Sequence, residues 1–287
     1  MKTTFQTDFN SKMDKFDAEM MNTSLEISIS GERQNYARSA ALACFSEAEA
    51  LDGMLTMYRF GSDISCVNSS DVGAITPLTR EASDCMTAAF AASVISGGAI
   101  DVCMGEYFLK AKNDKVLRIR AEPRRGKFEL DSESLKIRKI SDGRIDLGCI
   151  GKGFAVDAMV KKLKEEWEIK NALVSFGASS IYAFGKKDGQ PWELSLSAKT
   201  KIAVDDFAIG ASGTAVEGRH IIDARTGKIP ESQPFRTWAF CADAWLADAM
   251  STAFMVLSKG EIAKICREEK ISAAIQPDEN SEVEFID

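Results

Sequence analysis

Strand-like and helix-like patterns of apolar residues both occur in the first hundred residues. Apolar and polar residues alternate over residues 24–31, as in a half-buried strand. Residues 33–55 carry apolar side chains at helical spacing, which predicts a long amphipathic helix. Residues 58–65 interrupt that spacing and predict a polar loop with an aromatic residue at its mouth. A second helix is predicted over residues 79–96, where two glycines end it.

The rest of the chain mixes both patterns without a strict strand–helix–strand rhythm. Because there is also no internal repeat and no linker rich in Pro, Gly or Ser, we predict an α+β fold rather than a doubly wound one. The predicted elements are strands and hairpins around 110–143, a helix over 154–167, strands at 172–176 and 192–196, a helix at about 244–257, and a helix and a strand at the C-terminus.

Composition narrows the class of protein. A chain of 287 residues with 45% hydrophobic residues can bury a large core. The net charge of -7, with no basic stripe, argues against a nucleic-acid partner, although an anionic substrate remains possible if a metal supplies positive charge. Seven cysteines without C-x-x-C spacing predict reduced thiols. With no signal peptide and no membrane span in the sequence, we expect a soluble cytoplasmic protein.

Three glycines precede the predicted helix at 154–167. Gly148, Gly151 and Gly153 flank Lys152, so backbone and a cation could approach a ligand at a helix N-terminus, where phosphate binds well. The spacing matches neither the dinucleotide-binding fingerprint nor the P-loop. A structural turn is an equally good interpretation.

Two oxygen-bearing side chains share one face of the helix at 244–257. Asp248 and Thr252 are four residues apart, so a carboxylate and a hydroxyl lie on the same side. Magnesium prefers such ligands together with carbonyl, water and phosphate oxygens. The alternative is an incidental aspartate and a threonine packed among alanines.

His220 is the only histidine of the chain and precedes an apolar pair and Asp223. An imidazole can act as a general base near neutral pH, or it can simply end a strand. Tyr58 and Trp192 could stack on a flat ring, but aromatic side chains are usually part of a core.

The order of these segments resembles one family, the FAD:protein FMN transferases called ApbE. Residues 146–157 read DLGCIGKGFAVD, residues 220–227 read HIIDARTG, and residues 247–253 read ADAMSTA. Similar matches occur upstream at 21–23, 58–68 and 96–101, so the resemblance runs from about residue 20 to the C-terminus. It implies an ApbE-like fold, with mixed sheets flanked by helices and a flavin cleft between two lobes. Residues 1–20 would be an N-terminal extension, and residues 21–287 a flavin transferase domain.

The resemblance also implies roles for particular residues. Mg²⁺ would be held by Asp248, Thr252 and the carbonyl of Gly151, and His220 would be the base at the attacked phosphorus, with Asp223 beside it. FAD would contact Tyr58, Ser65, Asp101, Lys152, Gly177, Ser179 and Arg225.

Three functions follow as hypotheses. The first is Mg²⁺-dependent transfer of FMN from FAD to a threonine hydroxyl, with release of AMP. The acceptor would be a flavoprotein, such as a redox-complex subunit, with a Ser/Thr-Gly-Ala-Thr-like motif. The second is an FAD pyrophosphatase, which uses water in place of threonine. The third is a non-catalytic FAD-binding or carrier protein.

Overall fold

The structure is a computed structural model that describes residues 3–8, 13–21, 23–113, 125–215 and 218–286. Its helices are Gln34–Leu55 (α1), Asp63–Ser69 (α2), Arg80–Ile95 (α3), Gly105–Asn113 (α4), Gly151–Lys161 (α5), Ala244–Phe254 (α6) and Lys259–Glu269 (α7), with a short 3₁₀ turn at Val102–Met104 and a π turn at Lys162–Glu166.

Within the described residues, nine strands form one central, fully antiparallel sheet in the order β1-β2-β3-β7-β8-β12-β13-β14-β15. Two three-stranded sheets accompany it, in the orders β11-β10-β9 and β4-β6-β5. The strands are Thr3–Asp8 (β1), Met13–Met20 (β2), Thr23–Ser30 (β3), Ile75–Pro77 (β4), Phe128–Asp131 (β5), Lys136–Lys139 (β6), Ala172–Phe176 (β7), Ser180–Phe184 (β8), Lys186–Lys187 (β9), Gln190–Ser195 (β10), Lys201–Val204 (β11), Phe207–Gly213 (β12), Arg236–Cys241 (β13), Ser272–Gln276 (β14) and Glu284–Ile286 (β15).

The central sheet packs against other elements on both faces. Alternate side chains of its strands point to opposite sides and therefore enter different cores. On β7, Val174 belongs to the large core that the helices cover, whereas Leu173 belongs to a smaller core. That smaller core also contains Trp192 of β10 and Val204 of β11. The layers are therefore the helices, the central sheet and the three-stranded sheet β11-β10-β9. This mixture of helices and sheets confirms the predicted α+β class.

Most of the predicted elements are confirmed. The helices predicted at 33–55, 79–96, 154–167 and 244–257 correspond to α1, α3, α5 with its π turn, and α6. Thr79 caps α3 by accepting a hydrogen bond from the Ala82 N–H at 3.2 Å. The strands predicted at 24–31, 172–176 and 192–196 correspond to β3, β7 and β10.

Two local predictions were incomplete. The loop predicted at 58–65 ends early, because the Ser62 side chain accepts from the Ser65 N–H at 3.0 Å and starts α2. The hairpin predicted within 110–143 is present as β5 and β6, but the residues up to 113 are helical, and residues 114–124 lie outside the described part of the chain.

The described part of residues 1–20 belongs to the central sheet, and the domain boundary at residue 21 stays a prediction. Strand β2 pairs with β3 along all eight of its residues, and β1 pairs with β2. Phe16 and Ala18 of β2 are buried in the large core. The alternation of buried and more exposed residues along β2 is therefore that of a strand with one buried face.

The seven cysteines are all free thiols. Among the helices of the described residues, none combines the length and the apolar character needed to cross a bilayer. The cytoplasmic location stays a prediction.

Candidate active site

A cavity of about 750 Å³ opens where the central sheet meets α5, α6 and the segments before α4 and after β12. This volume is typical of small-molecule sites, which occupy about 300–1,000 Å³. The lining residues are Ile100, Asp101, Val102, Phe108, Asp146, Gly148, Cys149, Lys152, Gly177, Ser179, Ala211, Ser212, Gly213, His220, Ile221, Ile222, Asp248 and Thr252.

Asp248 is a buried carboxylate that lines this cavity. Its side chain is 3% exposed, and its Oδ2 atom accepts a hydrogen bond from the Gly153 N–H at 2.9 Å. Its Oδ1 atom lies 3.8 Å from the Lys152 ammonium. Burial raises the pKa of Asp248, and Lys152 acts in the opposite direction. The carboxylate is thus desolvated and attracts positive charge.

The Thr252 hydroxyl belongs to a network of side-chain oxygens. Ser212 Oγ of β12 lies 3.0 Å from both Thr252 Oγ1 and Ser251 Oγ. Thr252 also donates to the Asp248 carbonyl at 3.3 Å, which is a common bond for a helical threonine. This network fixes the orientation of the Thr252 hydroxyl, and Thr252 and Asp248 line the same cavity.

Two glycines allow α6 to approach its neighbours at backbone distance. A Cβ atom on Gly153 would lie 2.2 Å from the Ala244 carbonyl oxygen, and one on Gly210 would lie 1.9 Å from the Ala247 carbonyl oxygen. The glycines of the predicted glycine-rich segment thus have different roles. Gly148 lines the cavity, whereas Gly153 allows two helices to pack closely.

His220 lies in the segment after β12 and faces the cavity. Its Nδ1 atom is 2.8 Å from the Gly218 carbonyl oxygen. Because a carbonyl only accepts, Nδ1 is the donor, and in a neutral ring the basic lone pair is on Nε2. Before this segment, the described part of the chain ends at Ala215, and it resumes at Gly218.

Asp223 and Arg225 pair with each other and do not line the cavity. Arg225 donates from Nε and Nη2 to the Asp223 carboxylate at 2.9 and 2.8 Å, and from Nη1 to Glu261 at 2.6 Å. Tyr107 donates to the Gly227 carbonyl at 2.6 Å. These contacts attach the turn that follows His220 to α4 and α7.

Of the other residues predicted to contact flavin, some line the cavity and some lie outside it. Asp101 lines the cavity, accepts from the Cys103 N–H at 2.9 Å and lies 3.6 Å from Arg125. Gly177 and Ser179 also line it, in the turn between β7 and β8. The φ angle of Gly177 is 64° and that of Ala178 is 52°, so the turn is left-handed at both positions.

Tyr58, Ser65 and Gly151 lie outside the cavity lining. Tyr58 is 74% exposed, and partial desolvation, with the charge of Asp146 in addition, raises the pKa of its phenol. The Ser65 hydroxyl donates to the Ser62 carbonyl at 3.0 Å. Gly151 begins α5, and a Cβ atom there would meet nothing within 4 Å.

Several lining residues were missed. Asp146 and Cys149 stand in the quoted 146–157 segment, where adjacency to the glycines was a usable signal. Burial raises the pKa of Cys149 to about 12, so it is a neutral thiol. Ser212 and Phe108 had no distinguishing sequence pattern, and only the fold brings them to the site. Within the described residues, no three His, Cys, Asp or Glu side chains form a group that could hold a metal ion.

Solved structures share this architecture. The Pseudomonas stutzeri flavinyl transferase ApbE, in its apo form, superposes with a TM-score of 0.83 over 98% of this chain and 97% of its own, at 20% identity. The ApbE protein of Thermotoga maritima gives a TM-score of 0.81 over 95% and 96%, at 22% identity. These similarities define the fold class as that of the ApbE flavin transferases.

Sequence comparison establishes the family. A profile described as the ApbE family matches residues 21–275, and this chain therefore belongs to the ApbE family. The FAD:protein FMN transferase of Salmonella typhimurium is 22% identical over 283 residues, covering 88% of this chain and 81% of the relative. The enzyme of the same name from Escherichia coli K12 is 20% identical over 258 residues, covering 79% and 73%. The resemblance noted from the motifs is confirmed.

Proposed function

We propose that this protein is a Mg²⁺-dependent FAD:protein FMN transferase that uses the cavity described above. It would move the FMN half of FAD onto a threonine hydroxyl of an acceptor flavoprotein with a Ser/Thr-Gly-Ala-Thr-like motif. Family membership and the transferase names of its relatives support flavin transfer. The observation that carries the proposal for this chain is the buried Asp248 carboxylate, which shares one cavity with Lys152, Thr252 and His220.

The cavity lining includes groups that suit both parts of such a substrate. Phe108, Ile100 and Ile222 supply an apolar surface for a flat ring. Lys152, in the first turn of α5, supplies a cation near a helix N-terminus, where phosphate oxygens bind well.

The donor set is compatible with Mg²⁺. Asp248 and Thr252 offer a carboxylate and a hydroxyl from one helix to the same cavity, and the rest of an octahedral shell would come from water and phosphate oxygens. The Gly151 carbonyl, one residue before Lys152, is the proposed third protein ligand. A bound Mg²⁺ would neutralise charge on the pyrophosphate oxygens.

His220 is proposed to take the proton of the acceptor threonine. In the reaction, the threonine oxygen forms a bond to the phosphorus of the FMN half, the P–O bond to the AMP phosphate breaks, and AMP leaves. The hydrogen bond from Nδ1 to the Gly218 carbonyl supports this role, because it orients the ring and leaves the basic position at Nε2. Asp223 is proposed to act through the turn that follows His220.

The remaining flavin contacts are proposed in two groups. Asp101, Gly177 and Ser179 would touch FAD directly from the cavity wall. Tyr58 would cover the ring from its exposed position, while Ser65 and Arg225 would support the segments that hold the substrate. This division follows their placement inside or outside the lining.

The test is to incubate the purified protein with FAD and Mg²⁺, with and without an acceptor that carries the threonine motif. We expect AMP release together with an acceptor mass increase of one FMN. AMP without acceptor modification would point to hydrolysis of FAD, and intact FAD in both reactions would refute catalysis.

Asp248→Asn is the informative variant in this assay. Loss of the carboxylate should lower the rate of FMN transfer on the order of 100-fold, because the negative charge that would bind the metal is removed while the side-chain shape is kept. Asp84→Asn removes an exposed carboxylate on α3 and should leave the rate unchanged. Equal rates for the Asp248 variant and the wild type would refute the metal assignment.

A further inference from the structure

Helix α6 carries both Asp248 and Thr252, yet its own N-cap residue does not cap it. The Asp243 side chain makes no hydrogen bond to the first turn. Instead, the Asp157 carboxylate of α5 accepts from the Ala244 N–H and the Trp245 N–H, at 2.8 Å each. A helix start leaves its first N–H groups without intrahelical partners, so Asp157 satisfies two of them from another helix.

A second attachment joins the same two helices one turn away. Gly153 and Asp157 are four residues apart and share one face of α5. The Gly153 N–H donates to the Asp248 carboxylate at 2.9 Å, and the close approach at Gly153 leaves no room for a side chain. Two such points on one face fix both the depth and the axial position of α6 against α5.

We propose that Asp157 is a positioning residue for the cavity groups assigned to metal and phosphate. By holding the start of α6, it keeps Asp248 and Thr252 level with Lys152. Asp157 does not line the cavity, so its effect passes through α6. Without its carboxylate, two buried N–H groups would lose their acceptors, and the first turn of α6 would move to find others. This inference rests on the proposed function, because it assigns the positioned groups to Mg²⁺.

The test compares Asp157→Asn with the wild type and with Thr79→Ala. Asparagine keeps the side-chain shape but retains a single carbonyl oxygen. Thr79→Ala removes the N-cap of α3, so it measures the loss of a helix cap on another helix. For each protein, the melting temperature, the dissociation constant of Mg²⁺ by calorimetry and the Mg²⁺ dependence of AMP release are measured at a temperature where it is folded.

We expect Asp157→Asn to weaken Mg²⁺ binding about 10-fold, the effect typical of a residue that orients a ligand. The Mg²⁺ concentration for half-maximal AMP release should rise equally, with transfer restored in part by excess Mg²⁺. Thr79→Ala should lower the melting temperature without changing either Mg²⁺ value. If the asparagine variant is unfolded, Asp157→Glu, whose extra methylene moves both oxygens and should therefore displace the start of α6, is measured by the same criteria.

The outcomes separate the two proposals. Wild-type Mg²⁺ affinity in a folded Asp157 variant would overturn the positioning role and leave the transferase intact. Weakened Mg²⁺ binding in the variant, with a wild type that binds Mg²⁺ but transfers no FMN, would support positioning and refute the transferase. A wild type that binds no Mg²⁺, alone or with FAD, would overturn both.

Discussion

At the scale of single residues, the candidate chemistry depends on environment more than on residue type. Asp248 and Asp223 are both buried aspartates, but Asp248 lines the cavity 3.8 Å from Lys152, whereas Asp223 lies outside the lining and is bound by Arg225. A buried carboxylate is stabilised by the charge beside it. The first is therefore placed to bind a ligand, and the second to hold a turn.

His220→Ala should lower FMN transfer by about 10²–10⁴-fold, the usual contribution of a general base, while Mg²⁺ binding stays unchanged. His220→Asn is the matched variant, because its amide can still donate to the Gly218 carbonyl but cannot take a proton near neutral pH. Acceptor mass and Mg²⁺ calorimetry are the measurements. Wild-type transfer by the asparagine variant would remove His220 from proton transfer.

Glu261 should make stability depend on pH in the acid range. The hydroxyl and the amide of Ser258, with Arg225 in addition, lower the pKa of Glu261 to about 2. A carboxylate with a lowered pKa stabilises the folded state above its ordinary pKa of 4.5, and this contribution is lost as the pH falls toward 2. Glu261→Gln should therefore be less stable than the wild type at pH 7, and the difference should shrink between pH 4.5 and pH 2.

Urea unfolding across that pH range measures the difference. Glu269→Gln, which removes an exposed carboxylate at the end of the same helix, should show no such convergence. A constant difference between Glu261→Gln and the wild type at every pH would contradict the lowered pKa of Glu261.

At the scale of elements, the site is built by the packing of α6 against β12 and α5. No side chain separates α6 from β12 at Gly210, where the Ala247 carbonyl fills the space. The position of Asp248 in the cavity is thus set by backbone contact.

Gly210→Ala should push α6 outward and destabilise the protein by about 1–3 kcal/mol, the usual cost of overpacking. Transfer should fall as well, since Asp248 and Thr252 move with the helix. The control is Gly260→Ala in α7, where a Cβ atom would meet nothing within 4 Å and alanine favours the helix. Equal melting temperatures for Gly210→Ala and the wild type would show that α6 accommodates the methyl group.

At the scale of the whole molecule, the N-terminal strands complete the central sheet. Strand β2 lies between β1 and β3, and it buries Phe16 and Ala18. Removing these strands would expose the edge of β3 and part of the core, which favours association between chains.

Deletion of residues 1–20 should lower the melting temperature and produce oligomers on size-exclusion chromatography. Deletion of residues 1–12 should have a smaller effect, because β2 then remains to cover β3. A monomer with the wild-type melting temperature after the longer deletion would show that the sheet does not need these strands.

The sequence by itself determined the fold class, most of the helices and the order of the motifs. Helical and strand spacing are local properties, and the distance between Asp248 and Thr252 follows directly from one helix turn. For the same reason, Thr79 and the glycines after α3 correctly marked the ends of that helix.

Only the tertiary structure decided which side chains meet. Ser212 reaches Thr252 from another strand, Asp157 caps a helix 87 positions further along the chain, and Arg225 turns to Asp223 and Glu261 rather than to the cavity. Residues 13–20 also become part of the central sheet only by pairing with β3. These contacts join segments distant in sequence, and their partners depend on how buried polar groups are satisfied in the folded chain, which no local pattern encodes.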